Sequence, residues 1–263
     1  MKIAVLIKQV PDTWGERHID TDTGRTDRTA DVVVDEIDLK ALEVALRIKD
    51  ADKTVVVTVA TMGPSTALKG LRDALAMGAD DAIHLTDDAL VGSDAQQTAR
   101  ALAAALGPRE FDLILAGNEA TDGRGAAVPA MLAELLGLPQ ATFLRSLEVS
   151  GGVLTGERLT DRGHADVRVE LPAVISVTEQ IAEARFAGLR GILSAKKKPV
   201  ETLDATALGL APGEVGGEHA WTRVVSVTPR PARSAGTVIT DDGTGATQLA
   251  DFLAAASFIK KGI

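Results

Sequence analysis

The sequence predicts an α/β fold: a doubly wound, mostly parallel sheet with helices on both faces, followed by a C-terminal arm. Two observations carry that expectation. Short apolar runs alternate with helix-periodic segments four times through the first half of the chain. The run Thr54–Ala60 also lacks regular polar alternates, as strands do when both faces are covered. Ile3–Ile7 reads as the first strand, ended by Val10-Pro11-Asp12. Trp14–Asp31, rich in Asp, Thr, Gly and Arg, reads as a surface hairpin or excursion, and Val32–Val34 as a brief apolar run. A helix follows to about Ala51, with Asp35 or Asp38 as its cap and Leu39, Leu42, Ala45, Leu46 and Ile48 on its apolar side. Thr54–Ala60 is a β-branched strand, and Thr61–Ser65 a sharp loop into a helix that ends at Met77-Gly78. Ala82–Leu85 is the next strand, Gln96–Leu106 the next helix, and Leu113–Ala116 the strand after it.

The composition narrows the function. A chain of 263 residues with a net charge of −9 is not a general binder of nucleic acid or anionic membranes. With no cysteine there is neither disulfide nor thiol chemistry. The opening MKIAVLIKQVPDT has one Lys before a five-residue apolar run, too short for a signal-peptide core, so a cytoplasmic protein is expected. The four histidines, His18, His84, His164 and His219, are scattered, and no metal site is expected. The acidic pairs Asp80-Asp81 and Asp87-Asp88 are expected to be solvated. No nucleophile motif appears, so any redox chemistry belongs to a bound cofactor and no catalytic residue is expected.

The most informative stretch is Asp112–Gly137. A strand leads into the loop Gly117-Asn118-Glu119-Ala120-Thr121-Asp122-Gly123-Arg124-Gly125, and a helix begins near Ala126, with Pro129 close to its start. Such a junction presents free N–H groups to an anion; Gly123 and Gly125 would let a ligand approach the backbone, and Arg124 adds a cation. An ordinary crossover would look similar, and neither GxGxxG nor a P-loop is present. Ligands of doubly wound sheets lie at the carboxyl ends of the strands. That rule groups Lys8–Thr13, Thr61–Ser65 and Gly117–Gly125 around one nucleotide-sized ligand.

The second half differs. Leu147–Leu159 and Ala165–Glu170 alternate as strands beside a turn at Ser150-Gly151-Gly152, and Leu171–Val177 is a buried strand. Thr178–Lys198 mixes Arg185 and Arg190 with Phe186, Leu189, Ile192 and Leu193, and its lysines Lys196–Lys198 read as the complement of a helix dipole. The core is expected to span 1–200 and the arm 201–263. In the arm, Ala211–Gly217 reads as a linker, Trp221–Val227 as a strand-like run before Pro229-Arg230-Pro231-Ala232-Arg233, and Thr247–Ile259 as a helix capped by Thr247. With few apolar residues, this arm is expected to lie on another chain.

Four stretches carry a family resemblance: KIAVLIKQVPD, MGPSTALKGLRDALAMGAD, ILAGNEATDGRG and LPAVISVTEQIAEARFAGLRGILSAKKK. Together they resemble the beta subunit of an electron transfer flavoprotein, in its actinobacterial version. The resemblance runs from Met1 to about Pro199 and more loosely through Arg230–Gly236. It implies an adenine nucleotide alpha hydrolase-like core and an arm embracing an alpha subunit. It also implies an AMP pocket walled by Leu6, Asp35, Glu36, Ile37, Asp38 and Met62, together with Gly117–Gly125, Ala126, Ala127 and Val128. The mitochondrial-type loop has Asn-Gln-Thr where Ala126-Ala127-Val128 stand, and an acid at Arg124. Phosphate binding would then rest on backbone N–H groups, the helix dipole and Arg124.

The same resemblance makes 177–199 a recognition loop for partner dehydrogenases, anchored by Leu189 with Arg185, Phe186 and Ile192 around it. FAD is implied as held mainly by the alpha subunit and enclosed by this one. Arg158 matches a position near the subunit interface, with Leu159 in place of the usual acid. The function implied is an electron-transfer subunit without its own catalytic residues, taking electrons from acyl-CoA or related dehydrogenases to a quinone oxidoreductase. Two other readings stay open: a bifurcating type with a second FAD in the AMP pocket, and a stand-alone adenine-nucleotide-binding or hydrolysing domain.

Overall fold

The computed structural model describes residues 1–15, 17–228, 231 and 236–259. Of the sequence readings, Pro229-Arg230, Ala232-Arg233 and most of Arg230–Gly236 lie outside the described residues. Two compact units are present, Met1–Val227 and Thr228–Ile263.

The first unit is built on a nine-stranded sheet. Its strands are β1 (Lys2–Leu6), β4 (Val56–Met62), β5 (Asp81–Leu85), β6 (Leu113–Gly117), β7 (Gln140–Ser150), β8 (Val153–Thr160), β9 (Gly163–Glu170), β10 (Ala173–Val177) and β11 (Val200–Leu203). The order is β11-β5-β4-β1-β6-β10-β7-β8-β9. Every pairing from β11 to β7 is parallel; β7-β8 and β8-β9 are antiparallel. A separate ribbon pairs β2 (Gln9–Pro11) with β3 (Val32–Val34), and the excursion between them closes on an Ile19–Thr26 bridge.

Strand periodicity splits the core as a doubly wound fold requires. Ile3, Val5, Val57, Val59, Leu113, Leu115 and Ile175 pack with helices α1 (Glu36–Ala51) and α2 (Leu68–Met77). Ala4, Leu6, Ala60, Ile83, Ile114 and Val174 face the other way, onto α3 (Ala95–Leu106) and α4 (Val128–Leu136). Asp35 caps α1 by accepting from Ile37 N, and Asp94 caps α3 in a reciprocal box with Gln97.

Several expectations need correcting. The meander strand β7 starts at Gln140, earlier than the alternation suggested, because its first residues pair with the buried β10 rather than facing water. Gly151 and Gly152 do make the β7-β8 turn, both at positive φ. Asp80 and Asp87 are not simply solvated: Asp80 accepts from Val57 N, and Asp87 from Ala89 N and Ala205 N. The expected arm does not begin at 201, because β11 extends the sheet edge beside β5 and the first unit runs to Val227. Ala211–Gly217 is no free linker: Val215 and Ala205 are buried in the cluster that includes α3. Trp221–Val227 forms no strand, and Trp221 and Val225 are exposed. In the second unit, helix α6 (Gly245–Ala255) has Thr244 rather than Thr247 at its N-cap, so Thr247 lies inside the helix. Among the described residues, no helix is long and apolar enough to cross a membrane.

Asp94 also accepts from Thr222 N at 2.9 Å, so it holds both the start of α3 and the end of the first unit. Asp94→Ala should cost about 1–2 kcal/mol. In thermal melting that corresponds to a fall of roughly 2–8 °C.

Candidate functional site

Strands β4, β1 and β6 are adjacent and parallel, so their carboxyl ends meet at one edge of the sheet. The three loops grouped from sequence leave from that edge. Two carboxylates at the start of α1 tie it together. Asp38 Oδ2 accepts Lys8 N at 2.8 Å and Oδ1 accepts Gly117 N at 3.0 Å, linking the ends of β1 and β6. Asp35, fully buried, accepts Thr121 N at 2.6 Å and Thr121 Oγ1 at 2.7 Å as well as its capping bond. Burial, and then Asp35, push Asp38 up to about 8. Opposing them, one backbone donor on each oxygen favours the carboxylate. Gly117 has no room for a side chain: a Cβ would lie 2.6 Å from Asp38 Oδ1 and 3.1 Å from Ile37 Cγ2.

The loop after β6 is held by cations. Asp122, with its side chain 2% exposed, pairs with Lys8 Nζ at 2.7 Å and Arg28 Nη2 at 2.9 Å. Arg28 also donates to Gln9 O, and Arg17 Nη1 donates to Thr121 O at 2.7 Å. One buried acid thus gathers two cations, with Arg17 bound to Thr121 O and Arg124 4.0 Å from Glu119 in the same loop system. Burial alone would raise the Asp122 carboxyl, but the bonds and charges of Lys8 and Arg28 more than offset it and hold it below the usual range.

Of the residues expected from sequence, Leu6, Met62 and Val128 share one apolar cluster, and Ile37 packs behind Gly117. Glu36 is exposed in the first turn of α1 and is not drawn in. Asn118 and Thr121 are buried, Glu119 and Ala120 half-buried, and Gly123, Arg124 and Gly125 exposed. The left-handed positions are Arg124 and Ala126, at φ 49° and 52°, not the glycines. A Cβ at Gly123 or Gly125 would meet nothing within 4 Å, so there the backbone borders open space. Ala127 precedes α4 without a side-chain cap, leaving the helix N-terminus to a ligand or water. Among the described residues, three buried side-chain atoms lack a hydrogen-bond partner, and two of them, Thr61 Oγ1 and Asn118 Oδ1, end β4 and β6. Unsatisfied polar atoms at this edge suit a polar ligand.

Sequence reasoning missed Arg17 and Arg28, which lay in the polar excursion, and placed Lys8 in a grouped loop without its pairing to Asp122. Lys8 and Arg28 reach Asp122 from 114 and 94 positions away, and no local pattern announces such a pair.

The second expected surface is separate. Thr178–Lys198 is not one helix: only α5 (Leu189–Ala195) is helical. Phe186 is 98% exposed and Leu189 76%, with Ile192 and Leu193 also exposed. Arg185 is different, its guanidinium bound to Glu43 and Asp50. Arg158 Nε donates to Thr142 O within the meander.

Since Asp122 titrates lower in the folded chain than when unfolded, its contribution is complete above about pH 4 and is lost as the pH falls through the folded value. Asp122→Asn should therefore cost on the order of 1–3 kcal/mol at neutral pH, discounted for the partly exposed cations, and flatten the acid side of the stability profile. Melting from pH 3 to 8 checks this; an unchanged acid limb would contradict it.

The description "Electron transfer flavoprotein domain" matches residues 24–208. A Mycobacterium tuberculosis protein called electron transfer flavoprotein subunit beta is 49% identical, over 98% of this chain and 99% of its own. Its namesake from Megasphaera elsdenii is 39% identical, covering 91% of each chain. A protein from Acetobacterium woodii called caffeyl-CoA reductase-Etf complex subunit CarD is 34% identical, covering 96% of each. With a matched domain over most of its length and full-length likeness to beta subunits, the chain belongs to the electron transfer flavoprotein family, among its beta subunits.

Proposed function

We propose that the chain works as the beta subunit of a heterodimeric electron transfer flavoprotein, with AMP held structurally at the edge formed by β4, β1 and β6. The observation that carries the nucleotide reading is the combination there of an uncapped α4 N-terminus, backbone bordering open space at Gly123 and Gly125, and the orphaned Thr61 and Asn118 oxygens. Leu6, Met62 and Val128 give an apolar wall for a base, while the α4 N–H groups and Arg124 offer a place for phosphate. Asp35 and Asp38 do not contact the ligand in this reading; they fix the strand ends around it. FAD, held mainly by the alpha subunit, supplies the redox chemistry. This chain encloses the flavin on one side and docks acyl-CoA or related dehydrogenases through Phe186, Leu189 and Ile192, before the electrons pass to a quinone oxidoreductase. The exposure of these residues supports docking, since buried apolar anchors dominate interface energies.

A second FAD in the same pocket, as in a bifurcating type, is the alternative. It is favoured by the relative named for a caffeyl-CoA reductase-Etf complex. The segment Thr228–Ile263, with Leu249 and Phe252 half-exposed on α6, is the arm we assign to the alpha subunit.

Heat release of nucleotides from the co-expressed heterodimer should give about one AMP and one FAD per dimer. Two FAD and no AMP would establish the alternative. Gly125→Val should place a branched side chain where the ligand approaches and lower AMP content with little loss of FAD. Arg124→Ala should weaken AMP binding mildly, by on the order of 1 kcal/mol. Unchanged AMP in the Gly125 variant would move the ligand elsewhere.

Expressed without an alpha subunit, the chain should elute in gel filtration as aggregates or self-associated species. A flavin-loaded monomer would contradict the assignment of the arm.

A further inference from the structure

The residues assigned to docking stand on a segment that has no regular structure before Leu189. A loose loop would have to be ordered when the partner arrives, at about 0.5–1.5 kcal/mol for each immobilised side chain. The surroundings of this segment argue that it is ordered beforehand. On its N-terminal side Thr178 N donates to Leu144 O at 2.9 Å, and Lys40 Nζ reaches Glu179 O at 2.7 Å. Ile181, Ala182 and Ala187 pack on the cluster shared by α1 and α2. Arg185 then locks the middle, with Nε 2.6 Å from Glu43 Oε2 and Nη1 2.9 Å from Asp50 Oδ2. Glu43 has only 6% of its side chain exposed, so this bond draws the chain onto α1 immediately before Phe186.

The C-terminal side is held by two helices that cap each other. The last carbonyls of a helix have no partner of their own. Arg72, on α2, sends Nη1 to Ala195 O at 2.8 Å and Lys198 O at 2.7 Å, at the end of α5. Lys198, just past α5, returns Nζ to Leu75 O at 2.9 Å and Ala79 O at 2.5 Å, at the end of α2. Two cations at opposite helix C-termini also complement both dipoles. The contact is close because Gly191 lacks a side chain: a Cβ there would lie 2.1 Å from Ala76 O. Leu189, Ile192 and Leu193 are carried on the short helix so fixed, with their side chains largely in solvent.

We propose that Arg185, Gly191, Arg72 and Lys198 are positioning residues for electron-carrier docking. They do not meet the partner; they hold Phe186, Leu189, Ile192 and Leu193 in the pose it receives. Arg185 thereby moves from the contact surface to its support, and Lys198 from a cap on its own helix to a cap on its neighbour. The inference rests on the docking function proposed above.

The test uses the heterodimer, with an acyl-CoA dehydrogenase reduced by its thioester as the probe partner. The variants are Leu189→Ala, Gly191→Ala, Lys198→Met and Lys198→Arg. The readouts are KM and kcat for flavin reduction, flavin absorbance, and amide exchange across Leu189–Ala195. Gly191→Ala and Lys198→Met should raise KM roughly tenfold with kcat within about twofold, because only the ordering cost of docking changes. Flavin content should be unchanged, α5 amides should exchange faster, and Lys198→Arg should recover most of the KM. A raised KM in Leu189→Ala with normal KM and exchange in both support variants would overturn the positioning role while leaving docking intact. A normal KM in Leu189→Ala would overturn docking and the positioning role with it. If Gly191→Ala does not fold, the two Lys198 variants decide: equal KM values in Met and Arg overturn the proposal.

Discussion

Two carboxylates in the first turn of a helix hold the working edge of this protein together. A parallel sheet leaves its strand ends with N–H groups that nothing in the ladder satisfies. Asp38 answers two of them, at Lys8 and Gly117, from a position where its own burial is costly. Asp35 caps its helix and at the same time fixes Thr121, four residues past β6. The loop that follows is therefore anchored from beneath by α1 before any cation reaches it. Asp122 then pairs with Lys8 and Arg28, and the excursion between β2 and β3 is tied to the same edge. Removing the buried acids would leave buried donors unpaired, a larger loss than the bonds themselves.

The consequence is a division of labour between faces. One edge of the sheet brings together an uncapped helix N-terminus and two unpartnered buried oxygens, features that suit a polar ligand. The segment proposed for docking lies apart from it, on the α1 and α2 side, and is fixed by a different set of bonds. Helix α1 serves both: its first turn organises the edge at β1 and β6, while Glu43 and Asp50 further along secure Arg185. A subunit that carries electrons between proteins needs surfaces that are already shaped when partners meet. Both surfaces here are shaped by hydrogen bonds to backbone groups more than by side-chain packing alone.

The antiparallel meander β7-β8-β9 extends the sheet beyond the doubly wound part and leaves much of itself exposed. Leu159, on the inner strand β8, is exposed there although apolar. The last stretch of the first unit carries Trp221 and Val225 exposed as well. In a family whose beta subunits work beside an alpha subunit, such exposed groups are the expected cost of an assembly interface.

Much of this was legible in the chain alone. Hydrophobic runs with no polar alternates reveal buried parallel strands, because the period of side-chain burial is local. The same locality exposes the strand-loop-helix junction at Gly117–Val128, the α1 cap as Asp35 or Asp38, and the glycine turn at Gly151-Gly152. The four quoted stretches point to the family for the same reason: they are continuous in sequence. What the sequence could not yield are partnerships between distant positions. Lys8, Arg28 and Asp122 meet from three separate segments, and Lys198 caps a helix more than a hundred residues earlier. The fate of Val200–Leu203 likewise depends on a free edge at β5, not on its own residues. Local pattern sets which residues are buried and in what element. Only the folded chain decides which unsatisfied donor, acceptor or charge each one is brought to face.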